Sequence, residues 1–195
     1  MSGAQASAVF LDRDGTLTRE SDWVTKPEDL ELLPGAARAV GRLNAARLPV
    51  VLVTNQSAVA RGMIDEAALE RIHAHLRALL ARAGARVDAL YYCPHHLTEG
   101  RGPYATECEC RKPRAGLLVR AARELELELA TSWIVGDAER DLLAGESLGV
   151  RAILVATGKG TSEQARLARA GRAPRAFVAD LDAAVDAILA ERQGK

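Results

Sequence analysis

Short runs of wholly apolar residues alternate along this chain with longer stretches in which apolar positions recur every three or four residues. The apolar runs at 8–11, 49–53, 89–92, 133–135, 152–155 and 176–178 show no in–out alternation. Runs of that length and character predict strands covered on both faces, as in a parallel sheet. The amphipathic stretches at 35–47, 65–83, 115–127, 139–148, 162–170 and 181–191 predict helices, with starts marked by Pro34-Gly35 and Asp65-Glu66. Strand and helix in alternation predict an α/β fold, a doubly wound and mostly parallel sheet with right-handed crossovers. No repeat, low-complexity tract or linker breaks the 195 residues, so a single domain over 1–195 is expected. One long irregular piece, residues 93–113, fits neither pattern, and an excursion of that size in a compact domain usually serves function.

Composition narrows the class. With 48% hydrophobic and 27% charged residues the chain reads as soluble and globular, not fibrous or disordered. Basic and acidic residues balance at 26 each, so no global field invites nucleic acid. The apolar runs are too short to cross a bilayer, and residues 1–7 do not resemble a signal peptide, which predicts no membrane association and a cytoplasmic, monomeric protein. The three cysteines, Cys93, Cys108 and Cys110, fall inside the irregular piece beside His95 and His96. Cys93-Pro-His95 and Cys108-Glu-Cys110 form two one-gap ligand pairs, and three thiolates with one imidazole make a closed tetrahedral set for a structural Zn²⁺. His96 is the competing ligand. His73 and His75 are expected to be surface or helix-packing residues.

In doubly wound sheets, ligands sit beyond the carboxyl ends of the strands. The first strand ends in Asp12-Arg13-Asp14-Gly15-Thr16, the second in Thr54-Asn55-Gln56-Ser57, the fourth in Gly136-Asp137. Asp12 and Asp14, two apart on extended backbone, are predicted to point the same way. With Asp137 they would form a hard oxygen site suited to Mg²⁺. A carboxylate there can also act as a nucleophile through an aspartyl-phosphate, and Thr54, Asn55 and nearby amides could hold phosphate oxygens.

Asp12-Arg-Asp-Gly-Thr16, Thr54-Asn55, Lys112 and Gly136-Asp137 with Asp141 resemble, in order, the four motifs of the haloacid dehalogenase-type phosphatases. The resemblance implies Asp12 as nucleophile and Asp14 as general acid/base. Mg²⁺ would be held by side chains or carbonyls of Asp12 and Asp14 and by Asp137, while Thr54 and Lys112 grip the transferring phosphoryl group. The zinc-loop pattern Cys-x-His…Cys-x-Cys-Arg-Lys-Pro, with Tyr91–His96 and Thr54–Gly62, is similar to a capless branch of that family acting on heptose 1,7-bisphosphate at its 7-phosphate, in nucleotide-activated heptose (lipopolysaccharide precursor) synthesis. That branch implies a small sugar bisphosphate substrate met by Glu20, Ser21, Asp22, Trp23, Thr54, Asn55, Gln56, Ser57, Arg111 and Lys112. Arg111 would take the phosphate that is not transferred. The branch carries Lys directly after the fourth-motif Asp, where this chain has Ala138. Histidinol-phosphate phosphatases share the first motif and a similar zinc loop and stand as the alternative. A receiver domain or a zinc-binding module are remoter readings: the first has its phosphoacceptor on a middle strand, the second leaves the acidic cluster unexplained.

Overall fold

The computed structural model describes residues 6–21 and 23–193; the expectations for residues 1–5 and for Asp22 lie outside the described residues. Six strands, β1 (Val9–Leu11), β2 (Val50–Asn55), β3 (Ala89–Cys93), β4 (Trp133–Gly136), β5 (Arg151–Val155) and β6 (Ala176–Val178), form one sheet in the order β3-β2-β1-β4-β5-β6. Every pairing is parallel. Seven helices accompany them: α1 (Ala36–Ala45), α2 (Ser57–Ala60), α3 (Glu66–Arg82), α4 (Gly116–Leu125), α5 (Glu139–Glu146), α6 (Gly160–Arg169) and α7 (Leu181–Gln193).

The unbroken apolar runs follow from burial on both faces. Val9, Leu11, Val50 and Leu52 enter one core with residues of α1, α3 and α7. Their neighbours Phe10, Val51 and Val53 enter a second core with residues of α4, α5 and α6. Successive strand residues point to opposite faces, so both sets must be apolar. The six expected strands and six expected helices all form, with ends within about two residues of expectation. The one-turn α2 and the 3-10 turns at Pro27–Asp29, Gly102–Tyr104 and Leu129–Thr131 are additional, each too short to show a period. Helix α3 begins as its sequence suggests, with Asp65 accepting the Ala68 N–H at 2.6 Å.

The topology fixes the place for chemistry. The chain runs from β1 outward to β2 and β3, then returns to the other side of β1 with β4. The crevice at this reversal, beyond the carboxyl ends of β1 and β4, is where such sheets bind ligands. Asp12 N–H donates to the Val135 carbonyl at 3.0 Å, tying the two strand ends together.

Candidate active site

Asp12 follows the last residue of β1 and is almost fully buried. Its carboxylate accepts from the Arg13 N–H at 2.8 Å and lies 3.0 Å from Lys112 Nζ. Burial alone would raise its pKa, but Lys112, Arg140 and the Arg13 amide outweigh that effect and hold it below the usual carboxylate range. The result is an ionised carboxylate at the floor of an open cleft. Asp137, one residue past β4, is also buried. Its Oδ2 accepts the Lys159 N–H at 2.8 Å, while Oδ1 is buried with no hydrogen-bond partner. Burial and the charge of Asp12 push its pKa up to about 7.

Two glycines make room for Asp137. A Cβ on Gly15 (φ +81°) would stand 2.1 Å from Asp137 Oδ2, and one on Gly158 (φ +56°) would stand 2.2 Å from it. Only residues without Cβ let both loops pass this close.

Asp12, Asp137 and Asp141 each bring a carboxylate oxygen within 4.8 Å of the others. Three carboxylates, two of them (Asp137 and Asp141) with a buried oxygen that has no hydrogen-bond partner, are a donor set that fits a hard divalent cation. The Asp14 carboxylate stands outside this set but lines the same cleft as Asp12. β1 ends at Leu11, so strand alternation no longer governs Asp14. Its oxygens instead accept from Arg13 Nε and Nη2 at 2.9 and 2.8 Å, from Gln56 Nε2 at 3.0 Å and from Thr18 Oγ1 at 3.2 Å. Gln56 also bonds Thr54 Oγ1 at 2.9 Å, so one amide couples the ends of β1 and β2.

Lys112 is buried directly behind Asp12. Its ammonium donates to the Val53 carbonyl at 2.6 Å and is ion-paired with Asp12 at 3.0 Å and Asp141 at 2.6 Å. Asn55 holds the Lys112 backbone from both sides, donating to its carbonyl at 3.0 Å and accepting its N–H at 3.1 Å.

Around the cleft stand Glu20, Ser21, Trp23, Thr54, Asn55, Gln56, Ser57 and Arg111, all expected from the sequence. Three further cations line it to which the sequence reading gave no role, Arg13, Arg140 and Lys159. Each had a signal: Arg13 lies between the two first-motif carboxylates, Arg140 one helical turn after Asp137, and Lys159 in the loop leaving β5, another carboxyl strand end. Lys159 is paired with Glu20 at 2.5 Å. Trp23 packs under the Arg61 guanidinium, 4.7 Å from its ring centre. Ala138, at the position where a lysine was expected, is buried.

The irregular piece closes on itself through its ligand pairs. Ligand atoms of Cys93, His95, Cys108 and Cys110 all lie within 4.8 Å of one another. Sulfur separations of 3.6 Å (Cys93–Cys108) and 3.3 Å (Cys108–Cys110) exceed a disulfide bond and approach the edges of a tetrahedron around a metal. His95 Nδ1 faces Cys110 Sγ at 3.4 Å and Cys93 Sγ at 3.8 Å. The donor set fits Zn²⁺. His96 lies outside the cluster, engaged with Glu99. Arg111 Nη1 donates to the His95 carbonyl at 3.0 Å, so this cluster sets where that guanidinium enters the cleft.

Known proteins are similar to this chain in sequence and fold. A HAD-hydrolase-like family pattern covers residues 109–184. The D-glycero-beta-D-manno-heptose-1,7-bisphosphate 7-phosphatase of Pasteurella multocida is 41% identical over 160 residues, spanning 82% of this chain and 86% of that one. This chain belongs to the same phosphatase family. Two crystal structures of the family superpose on it. The Bordetella bronchiseptica D,D-heptose 1,7-bisphosphate phosphatase, complexed with magnesium and phosphate, gives a TM-score of 0.83 at 40% identity, covering 95% of this chain and 99% of that one. The Burkholderia thailandensis enzyme gives 0.68 at 33% identity, covering 94% and 98%. The HAD-type phosphatase fold read from the motifs is thus the fold of this chain. Among the described residues, no helix is long and apolar enough to cross a membrane.

Proposed function

We propose that this chain is a Mg²⁺-dependent phosphomonoester hydrolase that removes the 7-phosphate of D-glycero-D-manno-heptose 1,7-bisphosphate. The observation that carries the chemistry is Asp12: a buried carboxylate held ionised by Lys112 at 3.0 Å, at the floor of a polar cleft. The substrate reading is supported by the relatives, whose names specify this sugar bisphosphate.

An Asp12 oxygen attacks phosphorus in line, forming a P–O bond as the bond to the sugar oxygen breaks. The departing oxygen takes a proton from Asp14, which Arg13 and Gln56 hold at the cleft. Asp14 then removes a proton from water, whose oxygen attacks phosphorus and displaces the Asp12 carboxylate, releasing inorganic phosphate. Lys112 stabilises the ionised Asp12 from behind, and Thr54 faces the phosphoryl oxygens. Asp12 and Asp137 would hold Mg²⁺ through their carboxylates. By the family's pattern Asp14 would add a side-chain or main-chain carbonyl oxygen. When bound, the ion neutralises charge on the phosphoryl oxygens. Zn²⁺ on Cys93, His95, Cys108 and Cys110 staples the loop that carries Arg111, and Arg111 receives the phosphate that stays on the sugar. With no cap domain, that loop and residues 19–26 select substrate. The enzyme works as a cytoplasmic monomer in nucleotide-activated heptose synthesis, toward lipopolysaccharide.

The test is a phosphate-release panel with Mg²⁺: both anomers of the heptose 1,7-bisphosphate, fructose 1,6-bisphosphate and histidinol phosphate. A heptose anomer with the highest kcat/KM is expected. Histidinol phosphate outperforming both anomers would overturn the substrate assignment.

A further inference from the structure

The cleft contains a cation whose donors are unspent, directly beside the nucleophile. Arg140 projects from the first turn of α5, and its Nη2 lies 3.7 Å from Asp12 Oδ2 and 3.9 Å from Asp137 Oδ1. Both separations exceed hydrogen-bond length. Its Nε is buried without any partner. A guanidinium with unmet donors in a buried setting costs free energy, and such a group is retained where a ligand completes it.

The other cations of the site each carry a partner. Lys112 donates to the Val53 carbonyl and is paired with Asp12 and Asp141. Arg13 is paired with Asp14, Lys159 with Glu20, and Arg111 donates to the His95 carbonyl. Arg140 lines the cleft beside Asp12 with its nearest carboxylates beyond hydrogen-bond length. Negative charge builds on the three non-bridging oxygens as phosphorus passes from the sugar oxygen to Asp12, and a fork of N–H donors matches such oxygens.

Resting on the phosphatase reading above, we propose that Arg140 is a catalytic residue that binds the non-bridging oxygens of the phosphoryl group in transfer. It thereby supplies, from one helical turn further along, the positive charge that Ala138 does not bring to this end of the site. This role is distinct from that of Arg111, because every phosphate ester presents the transferring group and only a bisphosphate presents a second one.

The experiment uses the full-length, zinc-replete enzyme with Mg²⁺ and two substrates, the heptose 1,7-bisphosphate and p-nitrophenyl phosphate. Arg140→Ala should lower kcat about 10²- to 10³-fold on both. It should weaken inhibition by orthovanadate, which resembles the phosphoryl group in transfer, by a similar factor, with zinc content and melting temperature preserved. Arg140→Lys should recover part of kcat. Arg140→Gln, which conserves more of the side-chain volume, carries the same expectation should the alanine variant fail to fold. A kcat within about twofold of wild type on both esters would reduce Arg140 to a neutraliser of buried carboxylates and overturn the proposal. A loss confined to the bisphosphate would overturn it too, by assigning Arg140 to the second phosphate. Wild-type enzyme that hydrolyses p-nitrophenyl phosphate but no heptose bisphosphate would remove the substrate reading alone, since Arg140 is still judged on the generic ester. Wild type inert to both would overturn the hydrolase reading and this one together.

Discussion

His73 makes this fold sensitive to acid, and the sensitivity can be calculated. The ring is fully buried in α3, its Nε2 lies 3.4 Å from Arg13 Nη1, and its Nδ1 has no hydrogen-bond partner. Arginine can only donate, so Nε2 accepts and the proton of the neutral ring sits on Nδ1. Glu70 lies 3.8 Å from Nδ1, but it is half-exposed and cannot compensate a buried imidazolium. Burial, then the charges of Arg13 and Arg77, lowers the pKa from 6.5 to about 3. Between those values the unfolded chain binds a proton that the folded chain refuses, so stability falls as pH drops through 6.5 and levels off below about 3. At 1.36 kcal/mol per pH unit the cost is near zero at about pH 7, about 2 kcal/mol at pH 5 and about 3 kcal/mol at pH 4. The perturbation is His73→Gln, which keeps an amide oxygen able to accept from Arg13 and has nothing to titrate. Urea unfolding of both proteins at neutral pH and near pH 5 gives a double difference in which zinc loss and carboxylate titration, common to both, cancel. The variant should lose about 2 kcal/mol less than wild type, which for this chain length is a melting-temperature difference of about 4–8 °C. Equal losses in the two proteins, or an imidazole titrating near its ordinary value by NMR, would refute the reasoning.

Three further outcomes test the site. Asp12→Asn should abolish phosphate release while circular dichroism and zinc content stay unchanged; near-wild-type release would remove Asp12 as nucleophile. Cys108→Ser should lower bound zinc from one per chain, measured by elemental analysis, and reduce stability and activity together, because the metal anchors the His95 carbonyl that Arg111 holds at 3.0 Å. Arg111→Ala should raise KM for the sugar bisphosphate at least tenfold and leave p-nitrophenyl phosphate almost unchanged, which steady-state kinetics on the two substrates will separate.

The sheet was legible because its strands are covered twice. Val9 and Leu11 serve one core and Phe10 the other, so the run is apolar without interruption and cannot be mistaken for a surface strand. Helix ends were legible where a side chain does the capping, as Asp65 does for α3. What escaped was structure set by tertiary contact. α2 lasts four residues and has no period of its own. α6 begins at Gly160, ahead of its amphipathic stretch, because a Cβ there would stand 1.6 Å from the Val155 carbonyl oxygen and glycine alone can start the helix against β5.

In the site, motif order brought the right strand ends together, but it could not assign each side chain its partner. Asp12 and Asp14 both line the cleft but have different partners. The chain leaves strand geometry after Leu11, and Arg13, a residue between the two carboxylates that drew no attention, turns back to bind Asp14 through two nitrogens. Motif order named Lys112 but not its neighbours: the fold buries its ammonium against Asp12, Asp141 and the Val53 carbonyl. With alanine at 138, a cation at this end of the cleft comes from elsewhere in the first turn of α5. Helical spacing decides that residue. From Asp137, Ala138 turns into the packed interior, and Arg140, three positions on, returns to the side of the carboxylates, close enough to attract Asp12 and too far to be consumed by it.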